Sequence, residues 1–365
     1  MKIRCKKSNL QRGLSVVSRI VSTRTTLPVL GNVLLRAQDG RLDMTSTDLE
    51  AAMNVEVSAK IEQDGSITVP LKTFMDFVLT VSDEEMAIDT SGADVLVKSS
   101  HYSVNIKGID ASEFPIIPKI ENPKIFKMKS LALKKSLPKI IFAAALDETR
   151  PVLAGVYMKM SGNKLVLAAT DSYRLAEQKL ETQANIPEST VIVPSRTLAE
   201  LERILPESDE AVEIKMGENQ IEFATGSILF MTRLIEGAFP DYEQIMPKKF
   251  ESEIEINKNE FGEALKVAGI FARESSNNIK IAVAADAITL KAASANLGQT
   301  EARVKAQVKG AGLEVAFNGK YILDAIANIS GETVALGLSG KLSPGMLTSG
   351  SEKDYRYVIM PLRNE

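Results

Sequence analysis

Apolar residues recur along the chain in two rhythms. Short alternating or continuous runs, bounded by Ser-Gly, Gly-Glu-Asn or Thr-Gly-Ser, read as strands: Val95-Leu96-Val97-Lys98, Tyr102-Ser103-Val104-Asn105-Ile106, Ile221-Glu222-Phe223-Ala224 and Ile228-Leu229-Phe230-Met231. A second rhythm marks helices. Leu198, Leu201, Ile204 and Leu205 fall on one helical face, with Arg196 and Arg203 opposite. Leu10 and Leu14 share such a face, as do Leu133 and Leu137, and Phe261 and Leu265. Pro138 lies inside the second of these helices and is expected to start or kink it.

The pattern repeats. An apolar run from Leu165 breaks at Thr170-Asp171-Ser172 and resumes through Tyr173-Arg174-Leu175-Ala176, which reads as two strands joined by a tight polar turn. Thr47-Asp48, 123 residues earlier, sits in the same design, and Ser294-Ala295 ends a degraded third version. The helix entry Val69-Pro70-Leu71-Lys72 returns as Val193-Pro194-Ser195-Arg196 and as Phe317-Asn318-Gly319-Lys320, 124 residues apart each time. Proline and asparagine suit a helix N-terminus. Phe114-Pro115 and Phe239-Pro240 close the first two copies, and the Pro- and Lys-rich stretches up to Phe126 and Phe250 read as linkers. The expected fold is α+β: three tandem copies, over 1–120, 128–246 and 250–365, each with two helices covering an antiparallel sheet. Copies joined by the same turn at each joint form an arc, and an arc with self-complementary ends closes into a ring.

Composition narrows the class. With 365 residues, 44% hydrophobic and 25% charged, the chain has the mix of a soluble globular protein of two or three domains. Its net charge of −3 argues against binding nucleic acid by bulk attraction, but leaves room for a basic surface on one face. Cys5 is the single cysteine, so no intrachain disulfide forms; this fits a reducing compartment, and Cys5 reads as a small buried residue on the first strand. Met1 to Lys7 holds no apolar signal core, and no run approaches the ~18 apolar residues of a membrane span. A cytoplasmic protein with no membrane role is expected. The only histidine, His101, has neither a cysteine nor a second histidine for a metal site. No Ser-His-Asp arrangement and no Gly-rich phosphate loop is recognisable. Thr170-Asp171 reads as a turn, and Asp171 as a residue that holds it without touching a ligand. No enzyme, cofactor or metal is expected.

Four stretches resemble one family together: Ala168-Ala169-Thr170-Asp171-Ser172-Tyr173-Arg174-Leu175-Ala176, Thr26-Leu27-Pro28-Val29-Leu30-Gly31-Asn32, Phe239-Pro240-Asp241-Tyr242 and Tyr357-Val358-Ile359-Met360-Pro361-Leu362-Arg363. In order and spacing, over the whole chain, they resemble the bacterial sliding clamps, the β subunits of DNA polymerase III. Ser172-Tyr173 stands where many members carry Gly-His. The resemblance implies the DNA clamp fold and a head-to-tail homodimer, a six-domain ring lined by twelve helices. Helices spaced at roughly 8–10 Å enclose a hole on the order of 30–40 Å, wide enough for double-stranded DNA with water around it.

The same resemblance implies a processivity factor that tethers the replicative polymerase, and it distributes residues over three surfaces. A partner-peptide pocket would comprise Leu153, Thr170, Ser172, Tyr173, Arg174, Leu175, Pro240, Ile245, Val358, Met360, Pro361, Leu362 and Arg363. Its partners would be the DNA polymerase III α subunit, the clamp loader, other DNA polymerases and repair proteins. Its apolar members suit a cleft, and methionine adapts to varied partners; Arg174 and Arg363 would hold carbonyls or a carboxylate at the rim. The DNA-facing set would be Arg24, Lys72, Lys135, Arg150, Arg196 and Lys320, with Arg12, Arg19, Lys134, Lys139, Lys266 and Arg273 as further helix cations. Cationic residues at one repeat position in all three copies favour this over a merely solvated face, and without an aromatic ladder nothing points to single-strand stacking. The dimer contact would involve Ile270 and Phe271 facing the strand around Val104, since an exposed edge strand needs cover. The rival class is a β-rich adaptor with the same pocket and no ring.

Overall fold

The structure is a computed structural model that describes residues 1–21, 27–147, 149–352 and 354–362, with the backbone alone at 183–185 and 187. The first copy runs β1 (Lys2–Lys6), α1 (Lys7–Val17), β2 (Asn32–Gln38), β3 (Arg41–Thr47), β4 (Ala51–Val57), β5 (Lys60–Gln63), β6 (Gly65–Pro70), α2 (Leu71–Thr80), β7 (Glu85–Ser91), β8 (Asp94–Lys98) and β9 (Ser103–Lys107). The second runs β10 (Lys124–Lys129), α3 (Ser130–Ile141), β11 (Gly155–Thr170), β12 (Arg174–Pro194), α4 (Ser195–Ile204), β13 (Ala211–Met216), β14 (Gln220–Thr225) and β15 (Ile228–Arg233). The third runs β16 (Ser252–Asn257), α5 (Lys258–Ala272), β17 (Asn278–Val283), β18 (Ala287–Ser294), β19 (Gly298–Gly310), β20 (Glu314–Asn318), α6 (Gly319–Asn328), β21 (Thr333–Leu338), β22 (Gly345–Ser349) and β23 (Tyr355–Ile359). Strand, helix, strands, helix, strands is the order in every copy.

The chain packs as two compact units, Met1–Leu131 with Glu200–Leu234, and Ala132–Ala199 with Ile235–Glu365. In the first, a five-stranded sheet has the order β5-β1-β7-β8-β9 and an eight-stranded sheet the order β10-β13-β14-β15-β4-β3-β2-β6. The second is built on a ten-stranded sheet, β11-β12-β23-β22-β21-β16-β19-β18-β17-β20. The middle copy therefore gives strands to both units. Its β15 pairs antiparallel with β4, from Ile228↔Val55 to Thr232↔Ala51. Its β12 pairs antiparallel with β23, from Arg174↔Ile359 to Gln178↔Tyr355. In β19, Gly298 to Lys305 pairs with β18 and the remainder with β16, so the first half keeps one open side among the described residues.

The apolar stripes read from the sequence form the core. Leu10, Leu14, Leu133, Leu137, Phe261 and Leu265 are all fully buried. In the first unit α1 packs on β3 and β4 beside α2. Gly13 permits the close approach: a Cβ there would lie 2.7 Å from Val57 and 2.8 Å from the Met44 sulfur. In the second unit α5 packs on β17, β18 and β19 and against α6. Pro138 does not start α3, which begins at Ser130 and continues past the proline to Ile141. Proline forfeits one N–H bond and crowds the preceding turn, and burial of Leu133, Leu137 and Ile140 on one face holds the helix through it. Cys5 is buried on β1, and burial raises its thiol to about 11. Among the described residues no helix is long and apolar enough to cross a membrane.

Candidate functional site

The Thr170–Arg174 turn is closed by hydrogen bonds that involve its own side chains. Thr170 Oγ1 donates to the Arg174 carbonyl at 2.6 Å and accepts from Ser172 N at 3.1 Å. Asp171 Oδ1 accepts from Tyr173 N at 2.9 Å and from Arg174 N at 3.0 Å. The first copy reproduces this bond for bond. Thr47 Oγ1 donates to the Ala51 carbonyl at 2.7 Å, and Asp48 Oδ1 accepts from Glu50 N at 3.0 Å and Ala51 N at 2.7 Å. Ser172 and Leu49 occupy the same left-handed backbone position, with φ of 81° and 78°. The third copy keeps part of the turn without an aspartate: Ser294 Oγ accepts from Asn296 N and Leu297 N and donates to Glu274. Asp171 thus holds the turn, as the sequence implied.

Arg174 is held by contacts within the chain. Its Nε donates to Asp171 at 2.9 Å and its Nη1 to Asp324 at 2.7 Å, and the guanidinium lies over the rings of Tyr321 and Phe142 at 4.4 and 5.4 Å. One-tenth of its side chain is exposed. It rivets the turn to α6. Leu175 and Val358 are likewise core, packed in one cluster with Ala168, Tyr242 and Met246. The open part of the site is different: Tyr173 is 59% and Ile245 41% exposed, Pro240 and Ser172 are exposed, and Met360, Pro361 and Leu362 are half-buried. Leu153 is buried below, and Thr170 is closed into the turn. Met360 N donates to the Tyr173 carbonyl at 2.9 Å and Leu362 N to the Ala316 carbonyl at 2.8 Å, which ties the end of the chain to this surface. Arg363 lies outside the described residues.

Sequence reasoning missed the layer beneath. Tyr157 and Phe239 stack at 5.0 Å, and both meet Tyr242 edge-on at 6.2 and 6.1 Å. The Tyr242 hydroxyl donates to the buried Glu177 carboxylate at 2.9 Å. The Phe-Pro-Asp-Tyr motif signalled Tyr242, whereas nothing in the local pattern signalled Glu177, Tyr321 or Asp324.

Lys72, Arg196 and Lys320 are each the second residue of α2, α4 and α6, and each is exposed. None of these helices has an acidic residue in its first turn. Lys320 borders a groove of about 280 Å³ between α5 and α6, shared with Lys266 and Arg273. Lys135 is exposed on α3. Arg150 is exposed beside the partner turn and donates to Ser172 Oγ at 3.1 Å. Among the further cations, Lys139 is bound to Glu352 at 2.6 Å and Arg19 to Glu200 at 3.3 Å. Arg24 lies outside the described residues. Val104 is half-buried on the edge strand β9, Ile270 is 50% exposed near the end of α5, and Phe271 beside it is half-buried. Among the described residues no cluster of three His, Cys, Asp or Glu side chains could hold a metal ion.

Three two-helix, antiparallel-sheet copies in series define the DNA clamp fold. The chain belongs to the DNA polymerase III beta-subunit family: residues 1–118 match its N-terminal domain, 127–241 its central domain and 243–363 its C-terminal domain. The beta sliding clamp of Staphylococcus epidermidis is 30% identical over 374 residues, covering 100% of this chain and 99% of that relative. The crystal structure of the DNA polymerase sliding clamp from Bacillus subtilis superposes with a TM-score of 0.96 at 29% identity, over 100% of both chains. A sliding clamp from Pseudomonas aeruginosa, solved bound to griselimycin, gives the same TM-score of 0.96 at 29% identity and full coverage of both chains.

Proposed function

We propose that the chain works as a DNA sliding clamp through the residues placed above. Two protomers form a ring-shaped homodimer that encircles duplex DNA without reading its sequence, tethers the replicative polymerase and recruits the clamp loader and repair proteins. The protein is a processivity factor and not a catalyst. Its three domains occupy 1–120, 128–246 and 250–365, and it acts in the cytoplasm.

The observation that carries the DNA-facing assignment is the trio Lys72, Arg196 and Lys320. The helix dipole places partial positive charge at an N-terminus, so a cation in the first turn is disfavoured. Each helix nonetheless begins with one, in three copies of otherwise divergent sequence, and none offsets it with an acid. Stability does not select that arrangement; phosphate attraction does. Lys135 joins this surface. Arg150 is shared between it and the partner turn.

The ring closes by a joint of the kind the chain uses internally. Ala51 on β4, Arg174 on β12 and Gly298 on β19 are repeat equivalents; β4 is covered by β15 and β12 by β23. The open side of β19 would take β9 of the partner protomer, with Val104, Ile270 and Phe271 at the joint. Partners dock on the surface of Tyr173, Pro240, Ile245, Met360, Pro361, Leu362 and Arg363, over a floor that includes Leu153, Leu175 and Val358.

Retention on DNA tests the reading. The dimer should stay on nicked circular DNA and be lost when the circle is cut. A monomer in sedimentation equilibrium at micromolar concentration, with equal retention on linear and circular DNA, refutes the ring. Deleting Met360 through Glu365 should abolish polymerase stimulation and leave the dimer intact; surviving stimulation refutes the docking surface.

A further inference from the structure

One buried charge in the second unit belongs to no residue set named by the sequence. Glu177 on β12 is 2% exposed. Its carboxylate accepts from the Tyr242 hydroxyl at 2.9 Å, from Arg356 Nε at 3.0 Å and from a second Arg356 nitrogen, and Lys179 Nζ lies 3.8 Å away. A carboxylate withdrawn from water is unfavourable unless it is paired and hydrogen-bonded. The repeat does not require one here. The equivalent position is Asn54 in the first copy, where it faces Leu229 across the joint, and the exposed Glu301 in the third. Tyr242 is replaced in step: the first copy has Ile117 at the equivalent place, which has no hydroxyl to donate.

The link joins two parts of the docking surface that the backbone leaves separate. Tyr242 opens the single turn Tyr242–Ile245, and its own amide donates to the Pro240 carbonyl at 2.8 Å. That segment carries the exposed Pro240 and Ile245. Glu177 and Arg356 face each other across β12 and β23, the strands that carry Leu175 and Val358. We propose that Glu177 and Tyr242 are positioning residues for partner docking: the carboxylate–hydroxyl bond fixes Pro240 and Ile245 against the strand pair, in the one copy that docks partners. The proposal rests on the docking surface assigned above.

The test uses the full-length dimer and labelled DNA polymerase III α subunit as the probe. Tyr242→Phe keeps the ring and removes the bond. If the bond's full positioning effect is felt in docking, α-subunit binding weakens about tenfold, the scale set by a hydrogen bond to a charged group, with dimer sedimentation and retention on nicked circular DNA unchanged. A Kd within about twofold of the parent, whether or not the unfolding midpoint falls, overturns the proposal. Pairing with Ile245→Ala supplies a readout that mere packing would not move. If Tyr242 acts through its turn, the double variant binds little worse than Ile245→Ala, and additive losses overturn the assignment. Glu177→Gln should match Tyr242→Phe; because it also strands Arg356, the tyrosine variant decides the matter if the glutamine variant fails to fold. Met360→Asp separates the two levels. If it leaves α-subunit binding intact, the docking surface itself is wrong and the proposal falls with it. If it weakens binding while Tyr242→Phe does not, this proposal alone fails.

Discussion

Replacing Lys72, Arg196 and Lys320 together by glutamine should raise stability and lower DNA retention. Each cation sits in the first turn of its helix, exposed, with no acid to offset the dipole. A charge so placed costs about 0.3–1 kcal/mol at low salt, so the three removals return about 1–3 kcal/mol per protomer. The gain shrinks as salt rises, since the Debye length is only about 8 Å at physiological ionic strength. On DNA the sign reverses. Each phosphate neutralised contributes about 0.9 to the slope of log K against log salt, so six cations per dimer set a ceiling of roughly 5 on the lost slope. Loose, water-mediated contacts give less. Scanning calorimetry at low salt reads the first effect, and the half-time of the dimer on nicked circular DNA across a salt series reads the second. A lowered unfolding midpoint would refute the dipole argument, and an unchanged salt dependence of retention would show that these residues do not face DNA.

Three further outcomes are expected. Ser172→Gly should stabilise the chain by ~0.5–1 kcal/mol, seen as a higher unfolding midpoint: φ of 81° costs an L-residue about 1–2 kcal/mol, and glycine's freedom in the unfolded chain cancels part of the relief. Hydrogen bonds from the Ser99 hydroxyl and the His101 ring hold the Asp83 carboxyl down at about 2. A lowered folded-state value stabilises above the ordinary carboxylate range, and that contribution disappears as pH falls through about 4 towards 2. Asp83→Asn should flatten the acid limb of the midpoint-versus-pH curve and lower the midpoint at neutral pH. Burial raises the phenols of Tyr242, Tyr355 and Tyr357. Raised groups stabilise fully below the ordinary tyrosine value and lose that contribution above it, so the midpoint should fall from about pH 10 upward, with Tyr242→Phe blunting the fall.

The repeat was legible in the sequence because it is written in local terms. A helical stripe such as Leu10 with Leu14, or a turn such as Thr47-Asp48 and Thr170-Asp171, depends on neighbours a few residues away, and its hydrogen bonds stay within the turn. The cations at the helix entries were visible for the same reason. Pro138 does not mark the start of α3, because local propensity yields to burial and α3 keeps its buried face through the proline.

What only the tertiary structure decided involves partners distant in the chain. The family resemblance implies a rim position for Arg174. Besides Asp171 in the turn, its partners are Asp324, Tyr321 and Phe142, which strand register and helix placement bring to it. The family resemblance assigns Leu175 and Val358 to the cleft; they are buried, because β12 and β23 pair and Tyr242 and Met246 pack against them. The middle copy reads as one body, yet its strands extend sheets of both units, since an unpaired strand edge is satisfied by the nearest free edge whichever copy supplies it. The sequence by itself determined three copies of one fold, their helix-entry charges and the middle turn; the tertiary structure decided which side chains of that turn remain available to a partner, because burial and pairing are properties of the assembled sheet and not of the local segment.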